Sequence, residues 1–338
     1  MIGLFRRRGN GLIWAGLVLL VLALIPRVVS SPYFLHVLII AAIYAVYAAS
    51  WDLLSGYTGQ LSLGHALFFG VSAYTAALLN TRLDVSPWLS LPAGAAVAVL
   101  IGLLVGLPCL RLRGPYLGIV TLAFAEIAFS LAWALSDISG GEEGIIRIDS
   151  LVSGPTSTKY YATLVFLVLG LGALYALTRS DFGLTLLAIR EDEAASEAAG
   201  VDTTRYKLWA FLVSAGFAGL AGGYYTHYMK VVNPDILEIP LSAAAIAFTL
   251  VGGLGTIVGP AVGAFLLTII FQEFSFLVDV RVLAYNVLLI LVVLFLPRGL
   301  YGTLRARLRG GPTEEPVVYR WLRPVRGLLT ARGNNPKP

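Results

Sequence analysis

Apolar side chains run in solid blocks along this chain, and the charged ones gather between the blocks. Ten apolar stretches stand out, at residues 12–25, 33–54, 61–79, 88–108, 116–135, 160–177, 208–228, 240–254, 257–276 and 282–296. The runs do not alternate as membrane β-strands of about ten residues do. They predict helices apolar on all sides, several of them near the roughly 20 residues that cross a bilayer. The stretches 240–254 and 257–276 meet at Gly252-Gly253-Leu254-Gly255, followed by Gly259-Pro260. Glycine and proline there predict broken or half-length helices, tolerated at membrane depth where protein or a cavity satisfies the backbone. A loose echo lies upstream, where Gly56-Tyr57-Thr58-Gly59 precedes Gly64 as Gly253-Leu254-Gly255 precedes Gly259. Paired glycine-interrupted segments point to a central binding site between repeats; close helix packing by small residues is the alternative.

Composition and charge then settle the class. The 338-residue chain is 58% hydrophobic and 13% charged, where a soluble domain carries about 25% charge. The ten stretches hold 185 residues and three charges, Asp52, Glu126 and Glu273. A uniform spread would place roughly 23 there, against the cost of charge in lipid. The chain reads as an all-α polytopic membrane protein of about ten transmembrane helices (eight to ten), with broken helices near its centre. The net charge of +5 does not point to nucleic acid, because the arginines sit beside apolar stretches and in the tail, as contacts with anionic lipid do. A lone cysteine, Cys109, allows no internal disulfide and supplies no metal site.

Orientation follows from Lys and Arg. Alternate threading from a cytoplasmic N-terminus puts 18 of the 24 Lys and Arg inside and leaves six outside: Arg27, Arg82, Arg147, Lys159, Lys230 and Arg281. This predicts a cytoplasmic N-terminus over 1–11, a transmembrane domain over 12–296 with a cytoplasmic loop at 178–207, and a cytoplasmic basic tail over 297–338. The first stretch is short and Val28-Val29-Ser30 is a passable cleavage tripeptide, but Pro26 and Arg27 favour an uncleaved anchor. In the tail, Val317, Val318, Trp321, Leu322, Val325, Leu328 and Leu329 recur at helical spacing beside Arg320, Arg323 and Arg326. That predicts a segment on the inner leaflet, with disorder as the alternative because Pro324 interrupts it.

The inner loop carries the most specific signal. From Leu184 to Ala199 it is built of strong helix formers, and Gly200 stands at the stop position. Leu186, Ile189 and Glu193 fall on one face, while Ala194, Ala195, Ala198 and Ala199 make a small-side-chain surface. Such a helix is either an interfacial spacer or a knob for a partner's groove. The loop resembles the coupling motif of ABC importer permeases. Its Arg190, Glu191, Glu193, Ala194, Ala195 and Gly200 are similar to the branched-chain amino-acid permease family, of the LivM type. The generic Glu-Ala-Ala, three residues, Gly pattern is one residue longer here. Three further stretches carry the likeness, in order: Gly56-Tyr57-Thr58-Gly59-Gln60-Leu61-Ser62-Leu63-Gly64-His65; Arg113-Gly114-Pro115-Tyr116 running into Thr121-Leu122-Ala123-Phe124-Ala125-Glu126; and Val251-Gly252-Gly253-Leu254-Gly255-Thr256 with Gly259-Pro260.

The resemblance implies a multi-pass permease of a bacterial or archaeal inner membrane with both termini cytoplasmic. It implies a second related permease, two ABC ATPase subunits and an external substrate-binding protein as partners, with lipid around it. No G-x-x-x-x-G-K-[ST] phosphate loop occurs in the chain, so ATP and Mg are expected on the partner chains and no cofactor on this one. Branched-chain, small hydrophobic amino acids are the expected solute. Urea, amides or aromatic acids are the runner-up, and a stand-alone proton-coupled transporter using Glu126 or Asp52 is the alternative from another class.

Candidate pathway residues are Gln60, Ser62, His65, Glu126, Gly253 and Gly255. Ser62 and His65 are expected to share a helical face at i, i+3, near a helix N-terminus that would favour a substrate carboxylate. Glu126 is expected to face the bundle interior, as a clamp between helices or on the substrate path. Asp52, Ser62 and His65 also raise a hydrolase reading. It is disfavoured, because Asp52 lies across a glycine turn and no G-x-S-x-G elbow occurs. Gly140-Gly141-Glu142-Glu143-Gly144 reads as a solvated acidic turn on the outer side, with a calcium or substrate contact as the alternative.

Overall fold

The computed structural model describes residues 20–27, 31–109, 116–273 and 300. The N-terminal segment 1–11, Arg113-Gly114-Pro115, the stretch 282–296 and the rest of the basic tail lie outside the described residues. In chain order the elements are α1 (20–27), α2 (Pro32–Thr58), α3 (Ala66–Leu83), α4 (Pro87–Cys109), α5 (Tyr116–Ala134), α6 (Ser136–Ser139) and β1 (Ile145–Ile146). There follow α7 (Thr156–Arg179), α8 (Asp181–Glu191), α9 (Glu193–Ala198), α10 (Thr203–Met229), β2 (Val231–Val232), a 3-10 turn (Pro234–Leu237), α11 (Ile239–Gly252) and α12 (Val258–Glu273). Among the described residues, α2, α4, α5, α7 and α10 are long and apolar enough to cross a membrane, and α11 and α12 are shorter apolar helices. The all-α polytopic architecture read from the sequence is what forms.

Helix α2 is the axis of the bundle. Ser31 caps its N-terminus by accepting from the Phe34 N–H, Pro32 sits in its first turn, and Gly59 ends it at φ 75°. It is apolar all round and therefore buried all round. From Leu35 onward most of its side chains are enclosed, Tyr47 and Trp51 among them. It packs against α7, α10, α11 and α12. Helix α10 reaches α2, α3 and α4 through small residues such as Ala210, Ser214, Ala215, Ala218 and Gly222. Small side chains let helix backbones approach closely, which substitutes for a hydrophobic driving force that lipid does not supply.

Among the described residues, loops gather at two ends of the bundle. At one end, β1 pairs antiparallel with β2, and the Asp149 N–H donates to Asn80 Oδ1 at 2.8 Å. His227 there bonds Ser90 Oγ at 2.7 Å and the Asp149 carbonyl at 2.8 Å. Arg82 donates to the Asp137 carbonyl at 2.7 Å. The acidic turn Glu142-Glu143 is exposed beside them. At the other end α8 lies against α2, α7 and α10, held by buried Leu186 and Ile189 and by Phe182 stacked on Tyr206 at 5.8 Å.

Two expectations about local structure are corrected. Residues 59–65 are not helical; α3 begins only at Ala66, so Ser62 and His65 share no helical face. The segment Leu184–Ala199 is not one helix. Asp192, extended at φ −154°, ends α8 and caps α9 by accepting from the Ala195 N–H at 3.0 Å. Asp competes well for that role because its short carboxylate satisfies an orphan N–H of the next helix.

Candidate functional site

The segment between α2 and α3 turns back into the bundle beside the helix it has just left. The Trp51 indole donates to the Ser62 carbonyl at 2.8 Å, and His65 Nε2 bonds Ser50 Oγ at 2.9 Å. The Leu63 N–H donates to Thr121 Oγ1 of α5 at 3.1 Å. Ser242 Oγ of α11 receives the Ala66 N–H at 2.9 Å, taking up a free donor at the start of α3. Ser62 and His65 are fully enclosed. Gln60, half-buried, closes the turn: its N–H donates to Thr58 Oγ1 and its carbonyl accepts from Ser55 Oγ.

Asp52 marks the second half of the site. It is fully buried in α2, six residues and so about 9 Å from the helix end. Its Oδ1 accepts from the Gly255 N–H at 2.6 Å and its Oδ2 from the Thr256 N–H at 2.9 Å. The carboxylate therefore holds the loop between α11 and α12, where Gly253 is buried and Gly255 partly so. Arg190, in the last turn of α8, donates to the Gly56 carbonyl of α2. Its Nη1 also lies against Gly255, 3.1 Å from where a Cβ on that residue would stand. Three of the four sequence motifs, up to 204 residues apart, thus meet along α2, and Thr121 of the fourth reaches them through Leu63.

The remaining candidates fall elsewhere. Ser62, His65 and Asp52 form no triad: His65 bonds Ser50, and both Asp52 oxygens are engaged by backbone. Glu126 does not face the interior. It is exposed on α5 and lines an open cavity of about 510 Å³ with Ala123, Ile127, Ser130, Leu131 and Ala134. The expectation failed because Leu117, Thr121 and Ala125, not Glu126, lie on the buried side of α5. Burial, with the nearby carboxylates of Asp235 and Glu126, raises the Glu238 carboxyl above its usual range.

On the inner loop, Glu193 is half-buried and pairs with Lys207 of the same chain at 2.5 Å. Glu191, Ala194 and Ala195 are exposed. Gly200 adopts φ 86°, a left-handed value that suits a residue without Cβ at a helix stop. Sequence reasoning left Thr121, Trp51, Ser242 and Lys207 out of the site. For Asp52 a signal existed, since an ionisable residue inside a span is a functional candidate by default.

Comparison with known proteins gives a consistent identity. The family described as branched-chain amino acid transport system / permease component matches residues 33–296. The chain is 32% identical over 298 residues to the high-affinity branched-chain amino acid transport system permease protein LivM of Salmonella typhimurium, covering 79% of this chain and 69% of that one. It is 31% identical to LivM of Escherichia coli, with the same coverage. It is 26% identical over 284 residues to the permease protein LivH of Salmonella typhimurium, covering 77% and 91%. No solved structure matches. With the family matched over most of its length and relatives above 30% identity, the chain belongs to the branched-chain amino acid transport permease family.

Proposed function

We propose that this chain is a transmembrane subunit of an ATP-driven importer and that its solute is a branched-chain, small hydrophobic amino acid. It works with a second, related permease, two ABC ATPase subunits and an external binding protein. Relatives named both LivM and LivH match the chain, which supports a pair of related permeases. The chain itself performs no hydrolysis; ATP and Mg belong to the partners. The observation that carries the reading is the junction around Asp52. A helix on one end of the bundle, α8, touches both the axial helix and the loop between two short helices. Broken helices at a repeat-like interface are where alternating access is built in membrane transporters.

Proteoliposomes holding the two permeases and the ATPases, with the binding protein outside, are expected to accumulate leucine only when ATP is enclosed. Accumulation by this chain alone under a proton gradient would return the secondary-transporter reading.

Topology is tested separately. In a Cys109→Ser background, Ala194→Cys is expected to resist a membrane-impermeant maleimide added to intact cells, while Glu143→Cys reacts. Both side chains are exposed on the isolated chain, so in cells that express it without the ATPases access is set by the membrane. Labelling of Ala194→Cys from outside reverses the orientation.

A further inference from the structure

We infer that Asp52 and Arg190 are positioning residues of one latch, which passes movement of α8 to the loop between α11 and α12. The inference rests on the importer reading and names how force travels within this chain.

The geometry supplies both ends of the latch. Gly56 lies in the last turn of α2, where the final carbonyls of a helix have no intrahelical donor. Arg190 supplies that donor from α8. Its guanidinium also lies beside Gly255, in the loop that Asp52 grips. Asp52 suits its place better than a neutral isostere. A carboxylate accepts from both the Gly255 and Thr256 N–H groups, whereas an amide would accept one and turn its own NH2 on the other. Burying that carboxylate is costly without an opposing charge, and Arg190 brings one.

The two residues are therefore interdependent. If α8 swings away, the α2 terminus loses its donor and Asp52 its cation at the same moment. The grip on the α11–α12 loop then weakens. Arg190 moves with α8 because it lies on the same short helix as Leu186 and Ile189, whose buried side chains seat that helix on the bundle. Arg190 thus faces the membrane domain, while the exposed Glu191, Ala194 and Ala195 remain for a partner.

The test uses the reconstituted complex and reads leucine moved per ATP hydrolysed. A merely structural defect lowers the amount of assembled complex but leaves that ratio alone. Arg190→Gln is expected to lower the ratio about tenfold, with Arg190→Lys intermediate because an ammonium still donates to the Gly56 carbonyl. Asp52→Asn is expected to act in the same direction. The double variant should match the worse single one within about twofold, because one latch is broken only once. A ratio within about twofold of the unmodified complex for Arg190→Gln, or single effects that multiply, overturns the latch. If Asp52→Asn fails to assemble, Arg190→Gln and Arg190→Lys decide alone. The unmodified complex is measured first: leucine uptake without ATP there sinks the importer reading and the latch with it, whereas ATP-dependent uptake with an unmoved ratio in Arg190→Gln sinks the latch only.

Discussion

A single methyl group added at Gly64 is expected to keep the membrane domain from assembling. Gly64 is buried where the segment between α2 and α3 presses on α5. A Cβ there would strike the Thr121 carbonyl and lie 3.1 Å from the Leu122 nitrogen. Both are backbone atoms of another element, so no rotamer change relieves the clash. The segment cannot slide either, because Ser62, Leu63 and His65 are each hydrogen-bonded to α2 or α5. Overpacking costs about 1–3 kcal/mol and each hydrogen bond lost adds about 0.5–1.5. The sum, roughly 3–7 kcal/mol, is of the order of a domain's whole stability of about 5–15 kcal/mol. Gly64→Ala should therefore give little monodisperse protein in detergent and a lowered melting midpoint. Gly172→Ala is the control, since nothing stands within 4 Å of a Cβ at that position. Equal yield and midpoint for the two variants would show that this contact is not tight.

What could be read in the sequence was governed by local chemistry. Apolar runs forced helices, Gly200 marked a stop that adopts a left-handed backbone, and the glycines at 252–255 marked the break between α11 and α12. The failures share a different cause. The apolar stretch 61–79 reads as one helix, yet its first residues up to His65 are not helical, and there the Ser62 carbonyl and the Leu63 N–H find partners on Trp51 and Thr121. Thr121 lies 58 residues away on another helix, beyond any local window of sequence. Glu126 was misplaced because hydropathy ranks a position by its depth in a span and does not say which side of α5 meets the bundle. In the sequence Asp192 reads as one acidic residue of a continuous helix. The capping geometry that makes it a boundary depends on a single extended φ. Function was legible further than geometry, since the ordered motifs marked the family before their meeting around Asp52 could be seen.

The internal pairing of Glu193 changes which substitution tests the partner contact. Glu193→Lys would set two ammonium groups together, because Lys207 lies 2.5 Å from the carboxylate and its side chain is only 14% exposed. A transport defect in that variant would report damage to this chain as readily as a lost partner. Ala194 is free of that ambiguity. It is exposed on α9, beside Ala195, and its methyl side chain makes no hydrogen bond or ion pair. Ala194→Trp should thus leave the isolated chain within about 0.5 kcal/mol of its original stability, as surface changes do. Against an ATPase the consequence is different. If α9 seats in a groove of the proposed ATPase, that groove must open for an indole, and overpacking at about 1–3 kcal/mol weakens association by roughly tenfold to a hundredfold. The expected result is an unchanged melting midpoint for the permease, loss of ATPase subunits on co-purification, and ATP-dependent leucine uptake reduced by about tenfold or more. Glu143→Trp, in the acidic turn at the opposite end, should retain the ATPases. If Ala194→Trp keeps its ATPases and transports at the unmodified rate, α9 lies outside the contact. The small-residue surface of the inner loop is then an interfacial spacer, and the coupling role has to be sought on Glu191 and the exposed side of α8.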